Sequence, residues 1–405
     1  MENTIDPLSN DLFETFLKFD QYKNSILKVK KINFSQLSKG ENFIAEAYRL
    51  EVQYLRGDGV TVTKYYFLKL APTTPLKRKY VDDLGLMHKE IRVYIELLPQ
   101  MEQLAHSVGD YTELLWPVCV GTQYYDLLLM EDLISQGYHK CDKRIGLDLE
   151  HSLLVLKAIA KFHAITVVLK DKMLIDLKNF EPFGFTQENE DLFKVIKSRM
   201  KITAELMKNW GNEWQNLQKS MEENVDVGHQ MINNSCKLNA NNFNVVLHGD
   251  LWTSNILFKR CAFTGNLCGV KFLDYQEVHY NSFAIDLQYF LNTSVQGNIR
   301  KEYYNDLMAA YRKSLIDAFK LLRHEPQNLP TLDEIFVEME KKKVFGIIVS
   351  LFLLHLMQAK PEEAIDLEDW LENNEVDAIT DSKHFELKAK EILEPFLNVD
   401  LKCFI

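Results

Sequence analysis

Cysteine is scarce in this sequence, and its pattern argues against two common structural devices. Six cysteines are spread over 405 residues, without a Cys-x-x-Cys pair or histidines at zinc-finger spacing. We therefore expect reduced thiols rather than disulfides or a structural zinc site. Residues 1–6 also lack the basic start and apolar core of a signal peptide, and residue 2 is not the glycine that myristoylation requires. These absences favour a cytoplasmic location.

Long apolar runs and an excess of positive charge are also missing. The strongest apolar run, residues 344–357, contains Ser350 and His355 and is shorter than the roughly 20 residues that span a bilayer. We expect a buried helix there and no membrane insertion. The 58 acidic residues outnumber the 47 lysines and arginines, for a net charge of -11, which argues against nucleic-acid binding through the phosphate backbone. The 46% hydrophobic content is that of a globular protein.

The most informative stretch is residues 245–258, followed by residues 270–276. Two short apolar, strand-like runs each lead to a carboxylate, Asp250 and Asp274, and Asn255 stands five positions after the first. Kinase-type phosphoryl transfer requires a carboxylate for the attacking hydroxyl and oxygen ligands for magnesium. The pattern Asp-x4-Asn, with a further Asp after a hairpin, supplies that set. An isolated Asp-x4-Asn match is usually an ordinary turn, but the flanking strands and the second Asp favour a metal–phosphate site.

The N-terminal part of the sequence predicts an antiparallel meander of strands. Three segments are rich in Val, Ile, Tyr and Phe and are separated by turn residues, near residues 26–36, 42–56 and 62–71. The first turn, residues 38–42, contains Gly40, whose neighbouring N–H groups could approach an anion. With one glycine only, an ordinary hairpin turn explains this segment equally well.

A lysine and a glutamate after this meander form a candidate phosphate-binding pair. Lys69 lies in the third strand among apolar and aromatic residues, although a strand lysine usually reaches for solvent. A predicted amphipathic helix from about Lys79 to Leu98 carries Glu90, which could turn towards that strand. A Lys–Glu pair of this kind positions the α- and β-phosphates in kinases.

Three further patterns precede the catalytic stretch. An apolar strand is predicted at residues 122–130, and Glu131-Asp132-Leu133 follows where the pattern changes from sheet to helix. A helix at residues 146–166 carries His163, which we expect to be a hydrogen-bonded core histidine. A seven-residue repeat of Phe, Met and Trp over residues 190–224 predicts one long helix, or two broken near Gly211. Its large side chains could pack the core or line an apolar acceptor pocket.

Asp286 opens a later helical region that reaches residue 320. A carboxylate near a helix start could be a catalytic group, but it more often caps the helix or braces a loop.

These patterns resemble those of the ecdysteroid kinase-like family of insects, also called choline-kinase-like or CHK domain kinases. The similarity extends from about residue 30 to residue 400, and its most specific signs are Trp252 after Asp-Leu and an Asp-x-Gln where protein kinases have Asp-Phe-Gly. The segments that carry it are Lys39-Gly40-Glu41-Asn42-Phe43, Phe67-Leu68-Lys69, His88-Lys89-Glu90-Ile91-Arg92-Val93-Tyr94, Met130-Glu131-Asp132-Leu133, Ala160-Lys161-Phe162-His163-Ala164, His248-Gly249-Asp250-Leu251-Trp252-Thr253-Ser254-Asn255-Ile256 and Leu273-Asp274-Tyr275-Gln276.

The resemblance implies an α+β, bilobal protein-kinase-like fold of the aminoglycoside phosphotransferase type. Residues 1–131 would form an N-terminal nucleotide-binding lobe with an antiparallel sheet and a helix. Residues 132–405 would form a mostly helical C-terminal lobe for catalysis and acceptor binding.

The resemblance also implies an activity, namely ATP- and Mg²⁺-dependent phosphorylation of a hydroxyl on a small, lipophilic acceptor such as an ecdysteroid or related sterol. Asp250 would accept the proton of that hydroxyl, Asn255 and Asp274 would hold Mg²⁺, and His248 would brace the catalytic loop. The nucleotide would be bound by Lys69, Glu90, Gly40, Asn42, Phe43 and backbone groups of Glu131 and Leu133.

Three rival functions remain to be weighed. A protein kinase is disfavoured because only twelve positions separate Asp274 from Asp286, which leaves no room for an ordinary activation loop. Choline or aminoglycoside kinase activity shares the expected architecture. A catalytically inactive, ligand-binding pseudokinase is the rival from another class, but the presence of Lys69, Asp250, Asn255 and Asp274 together argues against it.

Overall fold

An antiparallel sheet of five strands dominates the N-terminal part of the chain. The computed structural model describes residues 10–17, 26–37, 45–123, 125–180, 184–186, 190–359 and 383–404. The strands follow the spatial order β1-β2-β3-β5-β4 and comprise β1 (Ile26–Gln36), β2 (Glu46–Arg56), β3 (Thr61–Leu70), β4 (Cys119–Gln123) and β5 (Leu127–Glu131). Helix α1 (Asn10–Leu17) packs apolar side chains against this sheet. The predicted meander is therefore confirmed.

The prediction of one strand at residues 122–130 is wrong. Strands β4 and β5 are two arms of a hairpin, and the Asp126 amide donates to the Gln123 carbonyl at 2.9 Å in the turn between them. Tyr125 in this turn has a left-handed backbone with φ of 61°. Because apolar residues flank the polar turn on both sides, the composition of the run does not reveal the turn.

The long helix predicted between Lys79 and Leu98 is also interrupted. Gly85 adopts a left-handed backbone with φ of 63°, a conformation that costs glycine little. The segment consequently forms consecutive pieces, namely α2 (Pro75–Asp83), α3 (Leu86–Arg92), a π-helical turn (Val93–Leu97) and α4 (Leu98–Ser107). Glu90 and Ile91 lie on the buried side of α3.

The C-terminal part is mostly helical. Two small antiparallel sheets are embedded in it, one pairing β7 (Asn244–Leu247) with β10 (His279–Ser282), the other ordering β6 (Tyr138–Lys140), β8 (Ile256–Arg260) and β9 (Leu267–Phe272). The described helices are α5 (Leu149–Asp171), α6 (Glu190–Met207), α7 (Gln215–Asn224), α8 (Gly228–Ser235), α9 (Ala284–Thr293), α10 (Gly297–Leu321), α11 (Leu332–Lys341), α12 (Lys343–Gln358) and α13 (Lys383–Leu393). The architecture confirms the predicted α+β class, with a sheet-rich N-terminal region and a helical C-terminal region.

Two large apolar cores, the largest clusters among the described residues, stabilise these regions. The smaller core lies between α1 and the five-stranded sheet, and the larger one runs through the helical part and includes α3 and α4. Helix α5 is long and apolar enough to cross a membrane by composition, but 78% of its apolar window is buried inside the protein, as in a core helix. The apolar run of residues 344–357 is likewise a buried helix.

The Met- and Trp-rich repeat of residues 190–224 belongs to the larger core. Met200, Met207, Trp214 and Met221 are all buried. The repeat forms two helices, α6 and α7, and Gly211 lies between them with φ of 120°. Of the two alternatives, one long helix or two helices broken near Gly211, the structure shows the second, and these side chains pack in the core.

Candidate active site

The loop that follows β7 depends on Gly249, a position that no other residue type can fill without strain. Gly249 has φ of 82°, and a Cβ added there would clash with the backbone carbonyl of Glu277. Only glycine tolerates both conditions. The loop can therefore approach the turn after Asp274 closely, and it carries His248 and Asp250 on either side of the glycine.

Asp286 at the start of α9 holds this loop from beneath. Its carboxylate accepts the backbone amide of His248 at 2.8 Å and that of Gly249 at 2.9 Å. His163 Nε2 lies 3.0 Å from the same carboxylate, and Tyr311 Oη lies 2.9 Å from His163 Nδ1. Burial alone would raise the pKa of Asp286, but the hydrogen bond and charge of His163 outweigh it and lower that pKa. Asp286 thus braces a loop, and His163 is the hydrogen-bonded core histidine that the sequence predicts.

The Asp250 carboxylate is held by two donors. Tyr289 Oη donates to Oδ1 at 2.5 Å, and Asn255 Nδ2 donates to Oδ2 at 2.7 Å and to the Asp250 carbonyl at 3.1 Å. Burial, followed by the negative charge of Asp274, raises the pKa of Asp250 to about 7 against these hydrogen bonds. The sequence reasoning missed Tyr289. No local pattern could have found it, because its contact with Asp250 arises only when α9 packs against the loop.

His248, the first residue of the same loop, has no exposed surface. Its Nδ1 accepts the backbone amide of Asp250 at 3.3 Å. Burial lowers the pKa of His248 despite the nearby charge of Asp286, which keeps the ring neutral and its Nδ1 able to accept.

Asp274 and Lys69 meet although 205 positions separate them. Asp274 follows β9 and has a left-handed backbone with φ of 65°, a conformation that Asp tolerates better than most residues. Lys69 Nζ lies 2.7 Å from Asp274 and 2.6 Å from Glu90 of α3. Burial alone would lower the pKa of Lys69, but the charges of Asp274 and Glu90 outweigh it and raise that pKa. Burial raises the pKa of Glu90, and the negative charge of Asp274 raises it further.

A cavity of about 420 Å³ lies between the N-terminal sheet and the β8–β9 hairpin, and Lys69, Glu90, Asn255 and Asp274 line its polar end. Its volume falls within the range of roughly 300–1,000 Å³ that ligand pockets occupy. The apolar walls include Leu37, Phe67, Met130, Leu257 and Leu273, and Glu131 and Leu133 line the cavity after β5.

Most of the predicted site residues therefore line one cavity or contact its lining. Asp250 contacts it through Asn255, and His248 supports Asp250 from below. The predicted Gly40, Asn42 and Phe43 lie outside the described residues. The predicted roles of all these residues in binding and catalysis stay predictions.

The oxygen donors at the polar end fit magnesium better than a transition metal. Within residues 45–123, 125–180 and the other described ranges, no group of three or more His, Cys, Asp or Glu residues could hold a metal. Mg²⁺ in nucleotide sites commonly takes one or two protein oxygens together with phosphate oxygens. The side-chain N–H group of Asn255 donates a hydrogen bond to Asp250. The side-chain carbonyl oxygen of Asn255 is therefore available as a ligand beside Asp274.

Comparison with known proteins gives three findings. A family model described as the ecdysteroid kinase-like family matches residues 39–324. Two solved structures of aminoglycoside 2'-phosphotransferase-IIIa, both GDP complexes, are similar to the chain at 12% sequence identity. A point mutant aligns with a TM-score of 0.43 over 96% of this chain and 99% of its own, and the wild type aligns with a TM-score of 0.41 over 96% and 100%. No curated protein matches the chain.

Proposed function

The chain belongs to the ecdysteroid kinase-like family, and on this premise we propose that it transfers the γ-phosphoryl group of ATP to a hydroxyl of a small molecule. One observation carries the proposal. The Lys69 ammonium bonds both Glu90 and Asp274, so a strand, a helix and the loop after β9 converge on one buried cation. A lysine braced by a glutamate is the group that holds nucleotide phosphates in kinases.

The remainder of the cavity suits a purine base. Phe67, Met130 and Leu257 provide flat or apolar surfaces on its walls. The Leu133 carbonyl already accepts the amides of Gln136 and Tyr138, each at 3.1 Å. We therefore assign the Leu133 amide, rather than its carbonyl, as the backbone group that would donate to the base.

Asn255 and Asp274 would hold Mg²⁺ through their side-chain oxygens. The ion, when bound, would neutralise charge on the nucleotide phosphates. Asn255 is oriented for this because its amide nitrogen is fixed on Asp250. Asp274 is oriented by its left-handed backbone and by Lys69.

Asp250 is the group that we assign to the acceptor hydroxyl. The Asp250 carboxylate, held by Tyr289 and Asn255, can accept a proton from a hydroxyl that is placed against it. Proton loss from the hydroxyl comes late in a loose phosphoryl-transfer transition state. The main contribution of Asp250 is therefore to position the attacking oxygen, with the proton moving onto its carboxylate as the new bond forms.

For the acceptor we propose a lipophilic alcohol, an ecdysteroid or a related sterol. The family description supports this choice. The Met and Trp side chains of residues 190–224 add nothing to it, because they are buried in the core. Choline, an aminoglycoside, or binding without catalysis are the alternatives that the following experiment separates.

The test measures ADP release from magnesium-ATP in the presence of ecdysteroids, other sterols, choline and aminoglycosides. We expect release that depends on a hydroxyl acceptor and that stops in Asp250→Asn, while calorimetry shows nearly unchanged nucleotide binding. Asp317→Asn is the matched control, because Asp317 is an exposed carboxylate paired with Lys313 on α10. Sterol binding without acceptor-stimulated ADP release would favour the pseudokinase, and turnover of Asp250→Asn at the wild-type rate would remove Asp250 from the mechanism.

A further inference from the structure

One face of helix α9 contacts the loop at residues 248–250 at two different points. Asp286 accepts the loop's backbone amides, and Tyr289 donates to the Asp250 carboxylate. Residues three apart lie on the same face of an α-helix. A single rigid element thus fixes both the course of the loop and the side chain that the loop presents.

We propose that Tyr289 is a positioning residue that fixes the Asp250 carboxylate in the orientation that meets the acceptor hydroxyl. The inference rests on the proposed function, since it requires Asp250 to be the group that receives that hydroxyl. It assigns to Tyr289 no contact with nucleotide or acceptor, only an action through Asp250.

A fixed orientation of the Asp250 carboxylate requires a hydrogen-bond donor on each of its two oxygens. The terminal torsion of an aspartate is broad, so a single hydrogen bond leaves the carboxylate plane free to turn. Tyr289 holds Oδ1 from α9, and Asn255 holds Oδ2 from the segment after the loop. Asn255 is also a predicted magnesium ligand. Tyr289 is therefore the donor that serves Asp250 alone.

Tyr289 is itself held firmly. Its side chain is buried, and its ring lies 6.2 Å from that of Phe345 on α12. Helices α9 and α12 pack so closely that a Cβ at Gly346 of α12 would clash with the side chains of Gln288 and Asn292 on α9. A hydroxyl on a ring confined in this way points to one place, as positioning requires.

The first test is the kinetics of Tyr289→Phe, which removes the hydroxyl and keeps the ring. We expect kcat to fall by roughly 10- to 100-fold, the loss that corresponds to one hydrogen bond to a charged group, with KM for ATP and acceptor unchanged. Tyr48→Phe is the matched control, because Tyr48 Oη also donates to a carboxylate, that of Glu46 at 3.2 Å, on β2. It should keep the wild-type kcat. An increase in KM with an unchanged kcat would overturn the proposal, because it would mean that Tyr289 touches a substrate.

The second test needs no acceptor. Urea unfolding of Tyr289→Phe, Asp250→Ala and the double variant measures whether the two side chains interact. We expect the double variant to lose less stability than the sum of the single losses. If the losses are additive and the wild-type protein turns over, the role of Tyr289 is refuted but the proposed function stands. A wild-type chain that releases no ADP with any acceptor would instead refute the proposed function, whatever the unfolding data show.

Discussion

Replacing Asp286 by asparagine tests how the loop at residues 248–250 is held. One carboxylate oxygen accepts the His248 amide and faces His163 Nε2, and the other accepts the Gly249 amide. Asparagine has nearly the same shape, but its NH₂ group can only donate. If that group faces Gly249, the Gly249 amide loses its acceptor, and if it faces His248, the His248 amide does. Either orientation leaves one buried backbone N–H unpaired.

An unpaired buried donor costs about 1–3 kcal/mol. The remaining hydrogen bonds become weaker without the charge, but the cost of burying that charge also disappears, so the two changes offset each other in part. We expect the free energy of unfolding of Asp286→Asn to fall by about 1–3 kcal/mol. Because the loop carries Asp250, we also expect kcat to fall by on the order of 10- to 100-fold, as small misplacements of reacting groups do.

Urea unfolding followed by tryptophan fluorescence measures the first quantity, and the ADP-release assay measures the second. Asp317→Asn again serves as the control, since Asp317 is an exposed carboxylate of α10 that pairs with Lys313, and it should change neither quantity. An Asp286→Asn protein within about 0.5 kcal/mol of wild-type stability and with wild-type kcat would refute the reasoning. The loop would then hold its shape without the carboxylate.

Three further changes test other parts of the site and fold. Asp274→Ala should abolish magnesium-dependent nucleotide binding by removing a predicted ligand, and unchanged ATP affinity by calorimetry would contradict this. Gly249→Ala should lower the free energy of unfolding by at least about 1–2 kcal/mol, the cost of a left-handed backbone, and should also lower kcat. Wild-type values of both quantities would refute the strain argument. Burial, with the charge of Arg199, lowers the pKa of His355 to about 3. The unfolded chain, with a pKa of about 6.5, binds a proton that the native state does not, so stability falls as pH drops below about 6.5. His355→Gln should remove about 2 kcal/mol of that loss between pH 7 and pH 5, and an unchanged pH dependence in urea unfolding would contradict the assignment.

The sequence predicts the local pieces of the site well, because each piece has its own pattern. Strand-like runs before Asp250 and Asp274 follow the alternation and composition of short buried strands. The pairing of Lys69 with Glu90 follows from a strand and an amphipathic helix joined by a short connection. The break at Gly85 shifts the start of that helix, yet Glu90 still faces Lys69 because α3 retains the predicted buried side.

The remainder could not be predicted, because it depends on contacts between distant segments. No local pattern places Tyr289 against Asp250, since the helix register matters only once α9 lies beneath the loop. The hairpin of β4 and β5 was missed for a different reason. Leu127 to Met130 continue the apolar composition on the far side of the turn, so composition alone does not distinguish one strand from two.

The contact between Lys69 and Asp274 shows why local patterns and long-range packing are both needed. The family resemblance implies that Lys69 binds phosphates and that Asp274 binds magnesium, two roles that do not require the side chains to touch. The structure places the Lys69 ammonium between the carboxyl groups of Glu90 and Asp274, at 2.6 Å and 2.7 Å. Under the proposed function, Mg²⁺ would approach Asp274 while the nucleotide phosphates approach Lys69, so the contact would bring the two groups to one nucleotide. The same ion pair holds β3 of the N-terminal sheet to the loop after β9, a contact between segments 205 positions apart that no local pattern predicts.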